Sequence, residues 1–138
     1  MANIPSRAKF RKQFKILTET LPAATRNVEF AFGDYGLISL EHGRITENQI
    51  ESVRKAVVRG LQRKGQVFRK VFPHVPVTAK PIAVRMGKGK GGISHHASAV
   101  LKGELLFEID GVDETTALKA LELGKYKLPF KTKIVKRF

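Results

Sequence analysis

The sequence predicts an α+β fold: a mostly antiparallel sheet with two helices packed on one face, plus a basic N-terminal arm and an extended glycine-lysine loop. Two stretches carry apolar residues at helical spacing with capping residues at their starts. Several short runs rich in β-branched and aromatic residues lie between glycine and proline signals, as strands do. Strands and helices do not alternate strictly, which disfavours a parallel βαβ sheet and favours the α+β class. The length, 138 residues, suits one domain.

Residues 1–27 are expected to form the arm and residues 28–138 the single α+β domain. In the arm, charges cluster and the apolar residues keep no sustained period. Phe10 and Phe14 are interleaved with Arg11, Lys12 and Lys15. Aromatics among cations suit stacking on bases beside phosphate contacts. Equally, two Phe at i, i+4 on a short helix would pin the arm to the body. Residues 28–40, VEFAFGDYGLISL, alternate around a GDYG turn and predict two short strands. TENQIESVRKAVVRGLQRKG follows as a helix. Thr46 and Gln49 form a capping box, and Ile50, Val53, Val57 and Leu61 recur at helical spacing. Glu47 and Glu51 sit early and Arg59, Arg63 and Lys64 late, as the helix dipole favours, with Gly65 as the stop. Its basic face, with Arg54, Lys55, Arg59 and Arg63, is read as solvated, with phosphate contact as the alternative.

QVFRKVF predicts a strand, PHVPVTAKP a proline-broken connection, and IAVRM a strand entering the glycine loop. ISHHASAVL and ELLFEID predict two strands joined by KG. A second helix is expected in GVDETTALKALELGKYKLP, capped by Asp113, with Ala117, Leu118 and Leu121 inward. KTKIVKRF closes the chain as a basic strand or tail.

Charge is the strongest compositional signal. Twenty-six Lys and Arg against twelve Asp and Glu give a net charge of +14, where small domains carry a magnitude of roughly 2–8. Such an excess opposes compaction unless a polyanion neutralises it. Nucleic acid is the usual polyanion and an anionic membrane surface the alternative. Residues 80–103 hold five basic residues and no acid, and residues 125–138 hold six basic residues and no acid. Six of the twelve acids lie between Glu104 and Glu122, a stretch expected to face away from the polyanion. Cysteine is absent, which removes disulfides, thiolate metal sites and cysteine nucleophiles. No apolar run is long enough to span a bilayer. The first fifteen residues lack the apolar core of a secretory signal, although their Arg-rich, acid-poor composition is compatible with a mitochondrial presequence.

The stretch RMGKGKGG, Arg85 to Gly92, carries the chemistry. Gly87, Gly89 and Gly92 spell G-x-G-x-x-G, but a dinucleotide site needs a helix opening at the loop to hold the pyrophosphate. ISHHASAV follows instead, without a helical stripe, and the Walker pattern is missing. Glycines allow close backbone approach, Lys88 and Lys90 suit phosphates, and Arg85 can bind one bidentately. Such a loop fits against folded RNA, and a plain flexible turn is the alternative. His95 and His96 alternate in direction along a strand, so they do not converge on a metal. Stacking on a base or a satisfied core imidazole suits them better. No catalytic triad or carboxylate pair is evident, and neither a cofactor nor a small-molecule substrate is expected.

The run KPIAVRMGKGKGG, together with RITENQIESVRKAVVRGLQRKGQVFRKVFPHVPVTAKP, resembles the bacterial and organellar large-subunit ribosomal protein sixteen family. SRAKFRKQFK is similar to that family's basic start, FGDYGL to its FG-x-[FY]-GL turn, and LLFEIDGVDE and KLPFKTKIV to its last third. The resemblance spans nearly the whole chain. It implies a non-enzymatic constituent of the large ribosomal subunit that binds large-subunit rRNA, lies among neighbouring ribosomal proteins and helps shape the aminoacyl-tRNA site near the peptidyl-transferase centre. The RNA-facing residues it implies are Arg7, Lys9, Arg11, Lys12 and Lys15 of the arm and Arg85, Met86, Gly87, Lys88, Gly89, Lys90 and Gly91 of the loop. His95 and His96 stand beside them, where the family carries an aromatic pair with Trp. ILTETLPAATRN replaces a glycine- and arginine-rich stretch of the bacterial members. These departures imply a mitochondrial ribosome, with the start of the chain matching the family's own start as an organelle-encoded gene would give. The bacterial cytoplasm is the alternative location. The rival function is a free RNA-binding regulator or chaperone outside the ribosome.

Overall fold

Helix α1, Glu47–Gly60, begins where its capping box predicts. The Thr46 hydroxyl accepts from the Gln49 N–H at 3.3 Å, and the Gln49 side-chain oxygen accepts from the Thr46 N–H at 2.9 Å. Two of the free N–H groups at a helix start are thereby satisfied. Replacing Thr46 with Ala should destabilise the protein by about 1 kcal/mol, read as a lower midpoint in urea with an unchanged slope. Ile50, Val53 and Val57 are fully buried. The helix ends five residues before Gly65, because Gln62 and Arg63 take left-handed φ angles of 51° and 66°. Arg63 and Lys64 thus lie beyond the helix. Of the basic face, Arg54 and Lys55 are engaged by Glu51, at 2.7 and 3.9 Å.

The computed structural model describes residues 5, 7–14 and 21–137. Its elements run β1 (Tyr35–Ser39), β2 (Gly43–Thr46), α1, β3 (Gln66–Arg69), β4 (Val75–Ala79), β5 (Gly92–Val100), β6 (Leu105–Asp110), α2 (Glu114–Lys125) and β7 (Thr132–Lys136). Every strand pairing is antiparallel, and the fold is α+β as expected. The strands divide between two sheets, β3-β6-β1-β7 and β2-β5-β4. Buried residues of both helices share one core with Tyr35 and Leu37 of β1 and Phe107 and Ile109 of β6. Alternate positions on a strand point to one face, so both helices lie against the same side of the larger sheet.

Helix α2 is capped by Asp113. The Thr115 hydroxyl, the Thr116 hydroxyl and the Thr116 N–H donate to its carboxylate and lower its pKa to about 2. Because the folded value is depressed, this stabilisation is complete above the ordinary value of 3.8 and is lost as pH falls toward 2. The inward stripe is Ala117, Ala120, Leu121 and Gly124. Leu118, expected inward, is 40% exposed, because the stripe at i, i+3, i+4 and i+7 starts at Ala117 and excludes it.

Three strand expectations change. Residues 28–34 form no strand. The N–H groups of Ala31, Phe32 and Gly33 all converge on the Glu108 carboxylate, at 3.2, 2.8 and 2.8 Å, a geometry that the alternating donors of a strand cannot reach. Residues 75–79 do form a strand, β4, despite their proline. Pro76 lies opposite His96 on an edge strand, where a missing N–H is tolerated. Residues 82–86 form no strand. They are exposed, and Ala83 takes a φ of 69°. The acidic stretch also differs from expectation: Glu104 and Glu108 are buried and so present no acidic surface.

Glu108 organises the side of the larger sheet away from the helices. It pairs across the ladder with Gly36 and Phe68, and Lys70 Nζ approaches its carboxylate at 3.3 Å. Burial raises its pKa, but the N–H groups of Gly33, Phe32 and Ala31 and the Lys70 ammonium outweigh that and leave it below the ordinary value of 4.5. The segment before β1 is anchored further by Leu105 N–H to Asn27 O at 2.7 Å and Asp34 N–H to Ile109 O at 3.0 Å.

Candidate nucleic-acid interface

The glycine loop is the connection between β4 and β5, residues 80–91. Its base is pinched. A Cβ on Gly91 would stand 2.4 Å from the Ala79 carbonyl oxygen, so only glycine fits there. At its tip Gly87, Lys88 and Gly89 take successive left-handed φ angles of 99°, 54° and 88°. Lys88 pays roughly 1 kcal/mol for that conformation, a local strain of the kind that concentrates at functional segments. Lys80 Nζ donates to the Gly87 carbonyl oxygen and ties the tip back to the loop's first residue. The loop is followed by a strand, β5, so no helix N-terminus stands at its glycines and the dinucleotide spelling has no phosphate site behind it.

The arm meets this loop. Lys12 Nζ donates to the Lys90 carbonyl oxygen at 2.9 Å, and Lys90 Nζ donates to the Gln13 carbonyl oxygen. The same Lys90 ammonium lies 5.8 Å from the Phe14 ring centroid, within cation–π range. Two lysines thus clasp two elements that are 78 positions apart. A cleft of about 290 Å³ is lined by Gln13, Phe14 and Lys90 of this clasp together with Val75–Thr78 of β4 and Arg44. The alternatives for the arm's aromatics resolve unevenly. Phe14 remains 93% exposed and Phe10 68%, and residues 7–14 form no helix, so neither ring is buried as a pin. Lys9 lies 5.7 Å from the Phe10 ring.

Arg85 and Lys88 have no partner among the described residues, so their donors face solvent. Met86 and Ile82 are 94% and 99% exposed. Arg7 and Arg11 are exposed along the arm, and Lys15 lies outside the described residues. His95 and His96 occupy β5 opposite Val77 and Pro76, the residues that line the cleft. Ser94 is an extra residue in that ladder, its hydroxyl 3.3 Å from His95 Nδ1. Among the described residues no three His, Asp or Glu side chains converge to hold a metal ion, and no helix is long and apolar enough to cross a membrane. The structure therefore brings the arm, the loop and the paired histidines to one end of the smaller sheet. Sequence reasoning missed the clasp itself, since nothing local marks Lys12 and Lys90 as partners.

Residues 5–135 match the model of the family described as ribosomal protein L16p/L10e. Three curated relatives are each called large ribosomal subunit protein uL16. That of Hyphomonas neptunium is 52% identical over 96% of this chain and 95% of its own length. Those of Chelativorans sp. and Bartonella bacilliformis are 50% and 48% identical, each over 96% of both chains. These relatives are bacterial. They give the expected mitochondrial location no support and fit the bacterial alternative.

Proposed function

Because the chain belongs to the ribosomal protein L16p/L10e family, we propose that it binds large-subunit rRNA through its arm and glycine loop and helps shape the aminoacyl-tRNA site near the peptidyl-transferase centre. Its role in the large ribosomal subunit is structural, and it is not an enzyme. The observation that carries the finer reading is the clasped arm and loop, with Arg85 and Lys88 of the loop unpartnered among the described residues. Both elements present backbone and cations, the groups that make phosphate contacts. Lys12, Lys80 and Lys90 each use ammonium hydrogens on a carbonyl, and an ammonium has three, so they order the loop and still bind phosphate. The arm, residues 1–27, and the domain, residues 28–138, act in this reading as an RNA-binding extension and its rigid support. Exposed Met86 and Phe14 supply apolar and stacking contacts, and His95 and His96 border them. Neighbouring ribosomal proteins complete the surroundings, in a ribosome of the bacterial cytoplasm.

Sucrose-gradient sedimentation of a native lysate tests this reading. One copy per large subunit, retained through a high-salt wash and released by RNase, is the expected result. An exchangeable pool near the top of the gradient would instead indicate a free RNA-binding regulator.

A further inference from the structure

A second surface, separate from the loop and the clasped residues 12–14 of the arm, has the chemistry of a nucleotide site. The ring of Phe32 is stacked on that of Phe68, with centroids 5.0 Å apart and planes inclined by 27°. Phe32 nonetheless remains 61% exposed, so it contributes little to the core. Its backbone, by contrast, is fixed: the Phe32 N–H and those of both its neighbours are held by the buried Glu108 carboxylate. Lys70, paired with that carboxylate, places its ammonium 5.7 Å from the Phe32 ring centroid. An exposed aromatic ring on a backbone locked from beneath is a preorganised contact element rather than a loose surface residue. Lys70 also lines a cleft of about 330 Å³ with Arg26, Asn27, Phe72 and His74. Glu104 is the one acid in that lining, and its carboxylate accepts the Leu101 N–H at 3.0 Å.

We propose that the Phe32–Phe68 ledge binds an unpaired RNA nucleotide, its base stacked on Phe32 and its phosphate held by Lys70 and Arg26. The inference rests on the RNA-binding reading above and adds a separate contact to it. RNA is favoured over a protein partner because the cleft that Lys70 lines beside the ring also holds Arg26, with Glu104 as its one acid, in a chain of net charge +14. Base–aromatic stacking is tolerant of base identity, so the ledge takes any unpaired base at that position.

The test uses the full chain and large-subunit cores stripped of their own copy of this protein. Binding and chemical modification of the rRNA are read for the wild type, Phe32→Leu, Phe32→Tyr and the Lys88→Glu/Lys90→Glu pair. Leucine keeps an apolar contact with Phe68 but loses the flat ring. Phe32→Leu should bind about ten-fold more weakly and expose nucleotides different from those exposed by the lysine variant, while Phe32→Tyr behaves as wild type. Thermal midpoints of both Phe32 variants should stay near that of the wild type. Wild-type binding and an unchanged modification pattern for Phe32→Leu would overturn the ledge alone. Loss of a neighbouring protein from the particle with no newly exposed nucleotide would overturn it in favour of a protein contact. Failure of the wild-type chain to bind the cores would overturn both readings.

Discussion

Replacing Glu108 with Ala should lower stability by about 3–5 kcal/mol, a large part of the roughly 5–15 kcal/mol that holds a domain of this size. The side chain is fully buried. Its loss strands the N–H groups of Ala31, Phe32 and Gly33 and leaves Lys70 without its carboxylate. Urea denaturation at neutral pH measures the effect. The pH dependence follows from the depressed pKa. A carboxylate with a lowered folded value stabilises fully above its ordinary value of 4.5 and loses that contribution as pH falls through the folded value. The gap between the wild type and Glu108→Ala should therefore be widest near neutrality and shrink in acid. A gap that is constant with pH would show that packing, not charge, accounts for the loss.

Replacing Lys88 and Lys90 together with Glu should weaken association with the large-subunit rRNA on the order of 100-fold, from two charge-assisted contacts of about 1.5 kcal/mol or more each. The salt dependence should also flatten by about one phosphate contact per lysine. Lys90 has a second role, since its ammonium holds the Gln13 carbonyl oxygen, so the pair also releases the arm. Lys88→Glu alone isolates the phosphate contribution, because Lys88 has no partner among the described residues. Lys119, exposed on α2, is the control, and Lys119→Glu should bind nearly as the wild type does. Equal losses at Lys88 and Lys119 would mean that net charge, rather than the loop, governs binding.

What was legible in the sequence had local causes. Thr46 with Gln49, and Asp113 with Thr116, state the starts of both helices within three residues of the chain. The cationic glycine loop was equally plain, because its residues are contiguous. What was hidden depends on partners far away in sequence. Residues 28–34 alternate like a strand, yet the N–H groups of Ala31, Phe32 and Gly33 go to a carboxylate 75 to 77 positions later. β4 was obscured by proline, which an edge position tolerates and a central one does not. The clasp of Lys12 with Lys90, and the Phe32–Phe68 stack, likewise join residues that no spacing rule connects. The same distance effect made Glu108 look like a surface acid.

The chain's lack of cysteine permits the most direct test of the central claim, that the clasped loop lies against rRNA at the aminoacyl-tRNA site. A single cysteine introduced as Met86→Cys carries an iron chelate that generates hydroxyl radicals, and Lys119→Cys serves as the comparison. In reconstituted large subunits, strong and localised rRNA cleavage near the peptidyl-transferase centre from position 86, with weak or distant cleavage from position 119, is the predicted result. Cleavage from position 86 that is absent, or no closer to that centre than cleavage from position 119, would contradict the account.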